Sequence, residues 1–155
     1  MPSSLSIGDY NINDVDVFRS LAGETYDIVE GLLYCQGYRK GEVLFHEGDH
    51  ERSLIGVIDG RISITKMAEG NKKIALANVR TGMSLGEMSL IEDAPRSATA
   101  QAMGRLVVVR LTVTNFDLLC SRHPAIGLTI QQGMLRSLSM RLRRTSAQYV
   151  DREAR

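Results

Sequence analysis

The chain has 155 residues, 43% hydrophobic and 24% charged, with a formal net charge of +1. That length suits one domain with its own core, and no apolar run approaches the roughly 20 residues of a membrane span. The near-neutral balance offers no bulk attraction to nucleic acid. The opening "MPSSLSIGDY" has no basic region followed by an apolar core, so it reads as no signal peptide and the expected setting is the cytoplasm. Cys35 and Cys120 form no CxxC pair and read as reduced, structural thiols.

In chain order, Asn13 or Asp14 can cap a short helix running towards Leu21. A second helix fits Glu24 to Tyr34, with Ile28, Val29, Leu32 and Leu33 on one face. From Arg39 to Leu111 the pattern changes to short apolar runs broken by turn residues. "LIGVI" and "RISITKM" flank Asp59-Gly60, which predicts a hairpin, and "AEGN" predicts another before "KKIALANV". "SATAQA", a turn at Met103-Gly104 and "RLVVVRL" follow. Many short strands at this spacing predict a β-sandwich or barrel of jelly-roll type. Thr114 and Asp117 form a T-x-x-D capping signal, and Pro124 can open a last helix running from about Ala125 to Val150. On that helix Leu128, Leu135, Leu142 and Tyr149 recur every seven residues, with Leu138 as a second row. The stripe fits either packing on the helix's own barrel or a dimer seam, which Gln131 and Thr145 weaken.

The stretch "GMSLGEMSLIEDAPRSATA" from Gly82 to Ala100 holds the candidate chemistry. Gly86 permits a tight turn and a close backbone approach. "EMSLI" can form one helical turn whose free N–H groups favour an anion. Arg96 brings a planar fork of donors suited to a phosphate, and Pro95 restrains the backbone before it. Glu87 would repel a phosphate but can accept hydrogen bonds from a sugar hydroxyl. Together these describe a nucleotide site. No GxxxxGK[ST] and no GxGxxG on a βα unit is present, which leaves a phosphate of low charge held without a metal. The competing reading is a structural Glu–Arg pair, which leaves the glycine, proline and small residues unexplained. His46, His50 and His123 show no H-x-H pair and read as solvated rather than metal-binding. No Ser-His-Asp or Cys-His arrangement is readable, so no enzyme activity is expected. Arg136, Arg143 and Arg144 read as a solvated face, with no recognition element for DNA.

"GEMSLIEDAPRSAT" resembles the phosphate-binding cassette of the cyclic nucleotide-binding domain family, as in catabolite activator-type effector domains and the cAMP-binding domains of kinase regulatory subunits. Gly41, Gly48 and Gly60 fit the same pattern, and the resemblance runs from about Phe18 to Arg144. It implies one domain over residues 1–155, mainly β with flanking helices. A double-stranded β-helix (jelly-roll) barrel would span about 35–112, after N-terminal helices, with C-terminal helices over about 114–150. It further implies that Glu87, following Gly86, takes the ribose 2′-hydroxyl and that Arg96 takes the cyclic phosphate. The N–H groups of Met88, Ser89 and Ala98 and the Ser97 hydroxyl would complete the cradle. Leu76 and Ala77 would line the base pocket, and Leu90 would move with the cassette. Arg141 and Thr145 are possible lid residues, although their "RLRRTS" run lies about one helical turn further past Pro124 than in the activator proteins. Ser97 suits either cyclic AMP or cyclic GMP, and the lid run leans towards cyclic AMP. The implied partners are the cyclic nucleotide, a second copy of the chain through the last helix, and an unknown protein, with no cofactor, no direct nucleic acid contact and no membrane insertion. The chain stops at Arg155, about where the activators continue into a helix-turn-helix domain, so a stand-alone receptor is expected. The alternative is a degenerate domain that dimerises or docks without ligand.

Overall fold

The computed structural model describes residues 2–155 and folds them into two facing antiparallel sheets with helices against one of them. One sheet runs β1 (Ser3–Leu5), β2 (Tyr34–Tyr38), β9 (Leu106–Thr112), β4 (Ser53–Asp59), β7 (Ser84–Leu85). The other runs β3 (Val43–Phe45), β8 (Thr99–Ala102), β5 (Arg61–Ala68), β6 (Lys72–Arg80). The helices are α1 (Gly23–Glu30), α2 (Glu87–Ile91), α3 (Val113–Arg122) and α4 (Pro124–Glu153). This is the mainly β architecture with flanking helices that the strand spacing predicts.

Strand β9 shows how the layers are held. Its "LVVVRL" lacks polar alternation because both faces are covered. Leu106 and Val108 enter the core between the sheets with Ile55, Val57, Ile62 and Ala100. Val107, Val109 and Leu111 enter a second core with Phe18, Val29, Phe116, Leu119 and Ile130. Each such side chain contributes roughly 1.5–3 kcal/mol when fully buried, so one strand ties barrel and helices together. By the same alternation Arg110 falls on the inner face, as do Gln36 beside Tyr38 on β2 and Ser53 beside Ile55 on β4.

Helix α4 is partnered over its first half. Gly127, Ile130, Gly133 and Met134 are buried. Gly133 rests directly on the N-terminal segment, where an added Cβ would lie 2.9 Å from the Val17 carbonyl oxygen and 3.1 Å from its Cα. The predicted seam faces away from this packing: Leu128, Leu135, Leu142 and Tyr149 are 56%, 61%, 68% and 65% exposed.

Four local expectations are corrected. Asp59-Gly60 joins strands of different sheets, so it is a corner and not a hairpin. Gly60 has φ +113°, and a Cβ there would meet the Arg105 carbonyl oxygen at 2.6 Å. The "AEGN" turn does close the β5–β6 hairpin. The helix expected from Asn13 to Leu21 is a pair of 3-10 turns, Ile12–Asp14 and Asp16–Phe18, the first capped by the Asn11 side chain accepting from Asn13 N–H at 3.0 Å. The second helix ends at Glu30 rather than Tyr34, because Tyr34 already pairs with Arg110 in the sheet. The cap of α3 is Thr112, not Thr114: its hydroxyl accepts from Asn115 N–H at 3.2 Å, directly at the end of β9. Pro124 stands in the first turn of α4 as read from the sequence.

Candidate functional site

Gly86 begins the site. It is the residue before α2 and has φ +86°. A Cβ there would lie 2.5 Å from the Ser53 carbonyl oxygen and 2.6 Å from Arg96 Nη1, so only glycine lets the turn close onto these groups. Behind it, the Ser89 hydroxyl lies 2.7 Å from the Gly86 carbonyl oxygen and 3.1 Å from that of Ser53, which ties α2 to β4. Arg52 Nε adds a bond to the Ser89 carbonyl oxygen at 2.7 Å, at the exit of α2.

Glu87 is 1% exposed and accepts hydrogen bonds at both carboxylate oxygens. The Ser84 hydroxyl lies 2.8 Å from its Oε1, and the Ser137 hydroxyl lies 3.3 Å from the same oxygen. Arg141 reaches down from α4, with Nη2 donating to Oε1 at 3.0 Å and Nη1 to Oε2 at 3.3 Å. Nη2 also donates to the Ser84 carbonyl oxygen at 2.6 Å. Ser84 touches a further acid, Asp16 Oδ1 at 2.9 Å, so this junction joins the N-terminal segment, the cassette and α4.

Arg96 is 5% exposed and takes different partners. Its backbone is stitched to the β3–β4 loop: Arg96 N–H donates to the Asp49 carbonyl at 2.7 Å, and Gly48 N–H to the Arg96 carbonyl at 2.8 Å. Nη2 donates to Glu51 Oε2 at 2.9 Å, to the Ser53 carbonyl oxygen at 3.0 Å and to Ser53 Oγ at 3.1 Å. Nη1 donates to Ser89 Oγ at 3.2 Å. The guanidinium carbon lies 4.1 Å from the centre of the Phe45 ring, a cation–π distance. Nε is buried without an acceptor among the described residues. Burial alone would raise the Glu51 carboxyl. Hydrogen bonds from Ser53 and Arg96 and the charges of Arg110 and Arg96 outweigh it and hold the carboxyl below its ordinary value.

Glu87 and Arg96 therefore lie on one short stretch of chain, each buried and paired with its own, more exposed counter-ion rather than with the other. The two networks meet through α2, which carries both Glu87 and Ser89. Other expected residues lie around them. Ala98 is buried, whereas Ser97 and Met88 are exposed. Ser89 N–H is used inside the turn, donating to the Gly86 carbonyl at 3.0 Å. Leu90 is buried in the helical core, so α2 is anchored there. Leu76 and Ala77 are exposed on β6, an edge strand, with Ala77 opposite Ile64 beside a bulge. Thr145 donates its hydroxyl to the Arg141 carbonyl at 3.0 Å, a bond within its own helix. His46, His50 and His123 are exposed, and no group of three or more metal-ligating side chains occurs among the described residues. Cys35 and Cys120 are unpaired, and burial, with Asp9 and Asp117 respectively, pushes both thiols up, away from nucleophilic use.

Residues not foreseen are Glu51, Ser53, Arg110, Ser84 and Ser137. One signal was available for Arg110, its place two residues after Val108 on an inward-facing row.

With this geometry in view, the comparisons decide the family. The sequence profile of the cyclic nucleotide-binding domain matches residues 35–123, more than half of the chain. The chain belongs to the cyclic nucleotide-binding domain family. A cyclic nucleotide-binding domain from Methylobacillus flagellatus KT superposes with a TM-score of 0.87 at 22% identity, covering 97% of this chain and 89% of that one, and shows the shared fold. The cyclic AMP receptor protein of Thermus thermophilus is 27% identical over 122 residues, 79% of this chain and 56% of that protein. A lysophospholipase, nte1, of Neosartorya fischeri is 30% identical over 101 residues, 65% of this chain but 6% of that protein. This cyclic nucleotide-binding domain thus spans only part of the length of these curated relatives. No helix among the described residues is long and apolar enough to cross a membrane.

Proposed function

We propose that this domain is a non-catalytic cyclic nucleotide receptor that prefers cyclic AMP to cyclic GMP and passes binding on to a partner protein. The observation that carries this reading is the pair Glu87 and Arg96. They are both buried at one cassette, nine positions apart, and each has a separate ion-pair partner. Their separation leaves one acid for a sugar hydroxyl and one guanidinium for a phosphate. The Thermus relative is a cyclic AMP receptor protein, which supports cyclic AMP. Transmission follows from Arg141. A ribose hydroxyl arriving at Glu87 enters the bond set that holds α4, so ligand and helix position are coupled by whatever affinity difference the two seatings have. The exposed leucine row of α4 supports a homodimer through that helix, and two unpaired thiols suit a cytoplasmic setting. No cofactor beyond the nucleotide is part of this reading.

A second reading has an observation of its own. Because Glu51 and Arg141 already occupy the two key residues in ion pairs, the cassette is also consistent with a docking or dimerisation module that takes no ligand. Calorimetric titration of the whole chain with cyclic AMP and cyclic GMP separates the two. Saturable binding, tighter for cyclic AMP, is expected. Heat of dilution alone for both nucleotides would favour the second reading, and tighter cyclic GMP binding would reverse the base preference.

A further inference from the structure

One carboxylate, its side chain 45% exposed, faces two buried guanidiniums. Glu51 Oε2 accepts from Arg96 Nη2 at 2.9 Å and from Arg110 Nη1 at 3.3 Å. Ser53 Oγ lies 3.1 Å from both arginines. Arg110 is held from its other side by Gln36 Oε1, 3.0 Å from Nε, and by the Tyr38 hydroxyl, 3.0 Å from Nη2. Both arginines are buried, at 5% and 9% exposure. Two positive charges and one negative charge leave this cluster with one positive charge in excess. Glu87 does not offset it, because Arg141 already does so for Glu87. A buried charge without a counter-ion is costly, and the orphaned Arg96 Nε lies in the same cluster.

We propose that Arg110 is a positioning residue of the anion site, which holds Glu51 and Ser53 against Arg96 and supplies the excess charge that a monoanionic phosphate diester balances. The proposal rests on the reading of the ligand above for the diester but not for the anion. Its consequence is a difference of sign between neighbours. Glu51 competes with the ligand for Arg96, whereas Arg110 draws part of Glu51 away from Arg96. Removing the acid therefore strengthens anion binding, and removing the second arginine weakens it. A purely structural network loses affinity both ways.

The test is calorimetry of cyclic AMP binding to the full chain and to three variants. Glu51→Gln should bind about threefold to tenfold more tightly, and Arg110→Gln weaker by a similar factor, where tenfold is about 1.4 kcal/mol. The double variant, with Arg96 alone, has the wild-type excess of one charge and should return towards wild-type affinity. A second arm uses inorganic phosphate at constant ionic strength and reads the thermal midpoint. The rise on adding phosphate should be larger than wild type in Glu51→Gln and smaller in Arg110→Gln. If Arg110→Gln does not fold, Arg110→Lys keeps the charge and should retain most of the phosphate response. Weaker binding in both single variants, with losses that accumulate in the double, overturns the proposal. So does a phosphate response unaffected by either residue. A wild-type chain that ignores cyclic AMP yet shows the opposed phosphate responses overturns the ligand reading and leaves this proposal standing.

Discussion

Glu87 receives four hydrogen-bonding groups from three other residues, and only one of its oxygens, Oε2, has a single long bond at 3.3 Å. That oxygen is the natural acceptor for a sugar hydroxyl. Hydrogen bonds to a charged group are worth about 1.5–3 kcal/mol, so 2′-deoxy cyclic AMP should bind at least about tenfold more weakly than cyclic AMP. Glu87→Gln should shrink that preference, and equal affinity of the wild type for both nucleotides would remove Glu87 from the ribose. Glu87 and Arg96 were legible because they sit in one contiguous stretch with a glycine and a proline. Their partners were not. Glu51 and Ser53 reach Arg96 across more than forty residues, and Arg141 reaches Glu87 across 54. Local spacing carries no record of such contacts. Arg141 was named only through a family resemblance, and Arg110 only the strand parity could have exposed.

Among the elements, α4 and the β4–β5 connection show what periodicity can and cannot reveal. The heptad row was readable because a period of seven is local. The packing and seam alternatives proved to use different faces. Gly127, Ile130 and Gly133 meet the body of the protein while Leu128, Leu135 and Leu142 face away. A row this apolar predicts a dimer of about twice the 17.1 kDa chain mass by light scattering. Leu135→Asp should yield monomers with the barrel intact. A wild-type monomer at high concentration, with or without cyclic AMP, would exclude the seam. Asp59-Gly60 misled because a turn signal marks a reversal and not which strand lies beyond it. The partners of β5 are β6 and β8, chosen by the inward row of Ile62 and Ile64.

At the scale of the whole molecule, acid stability should report the Glu51 cluster. Its folded carboxyl titrates below the ordinary 4.5. Such a group stabilises the fold fully above its unfolded value, and the contribution is lost as pH falls through the folded one. Denaturant melts between pH 6 and pH 3 should show wild-type stability declining below about pH 4.5 more steeply than that of Glu51→Gln. Parallel declines would place the acid sensitivity elsewhere. The same whole-molecule view applies to the seat of Gly133 on Val17. That backbone-to-backbone rest, too tight for a Cβ, is the point about which a rigid α4 would turn. Arg141 lies eight residues beyond it, about 12 Å along the axis, and Glu153 lies twenty beyond, about 30 Å. A rigid helix pivoting there is a lever with a gain of about 2.5, so a displacement of about 1 Å at the Glu87 contact sweeps the free tip through about 2.5 Å.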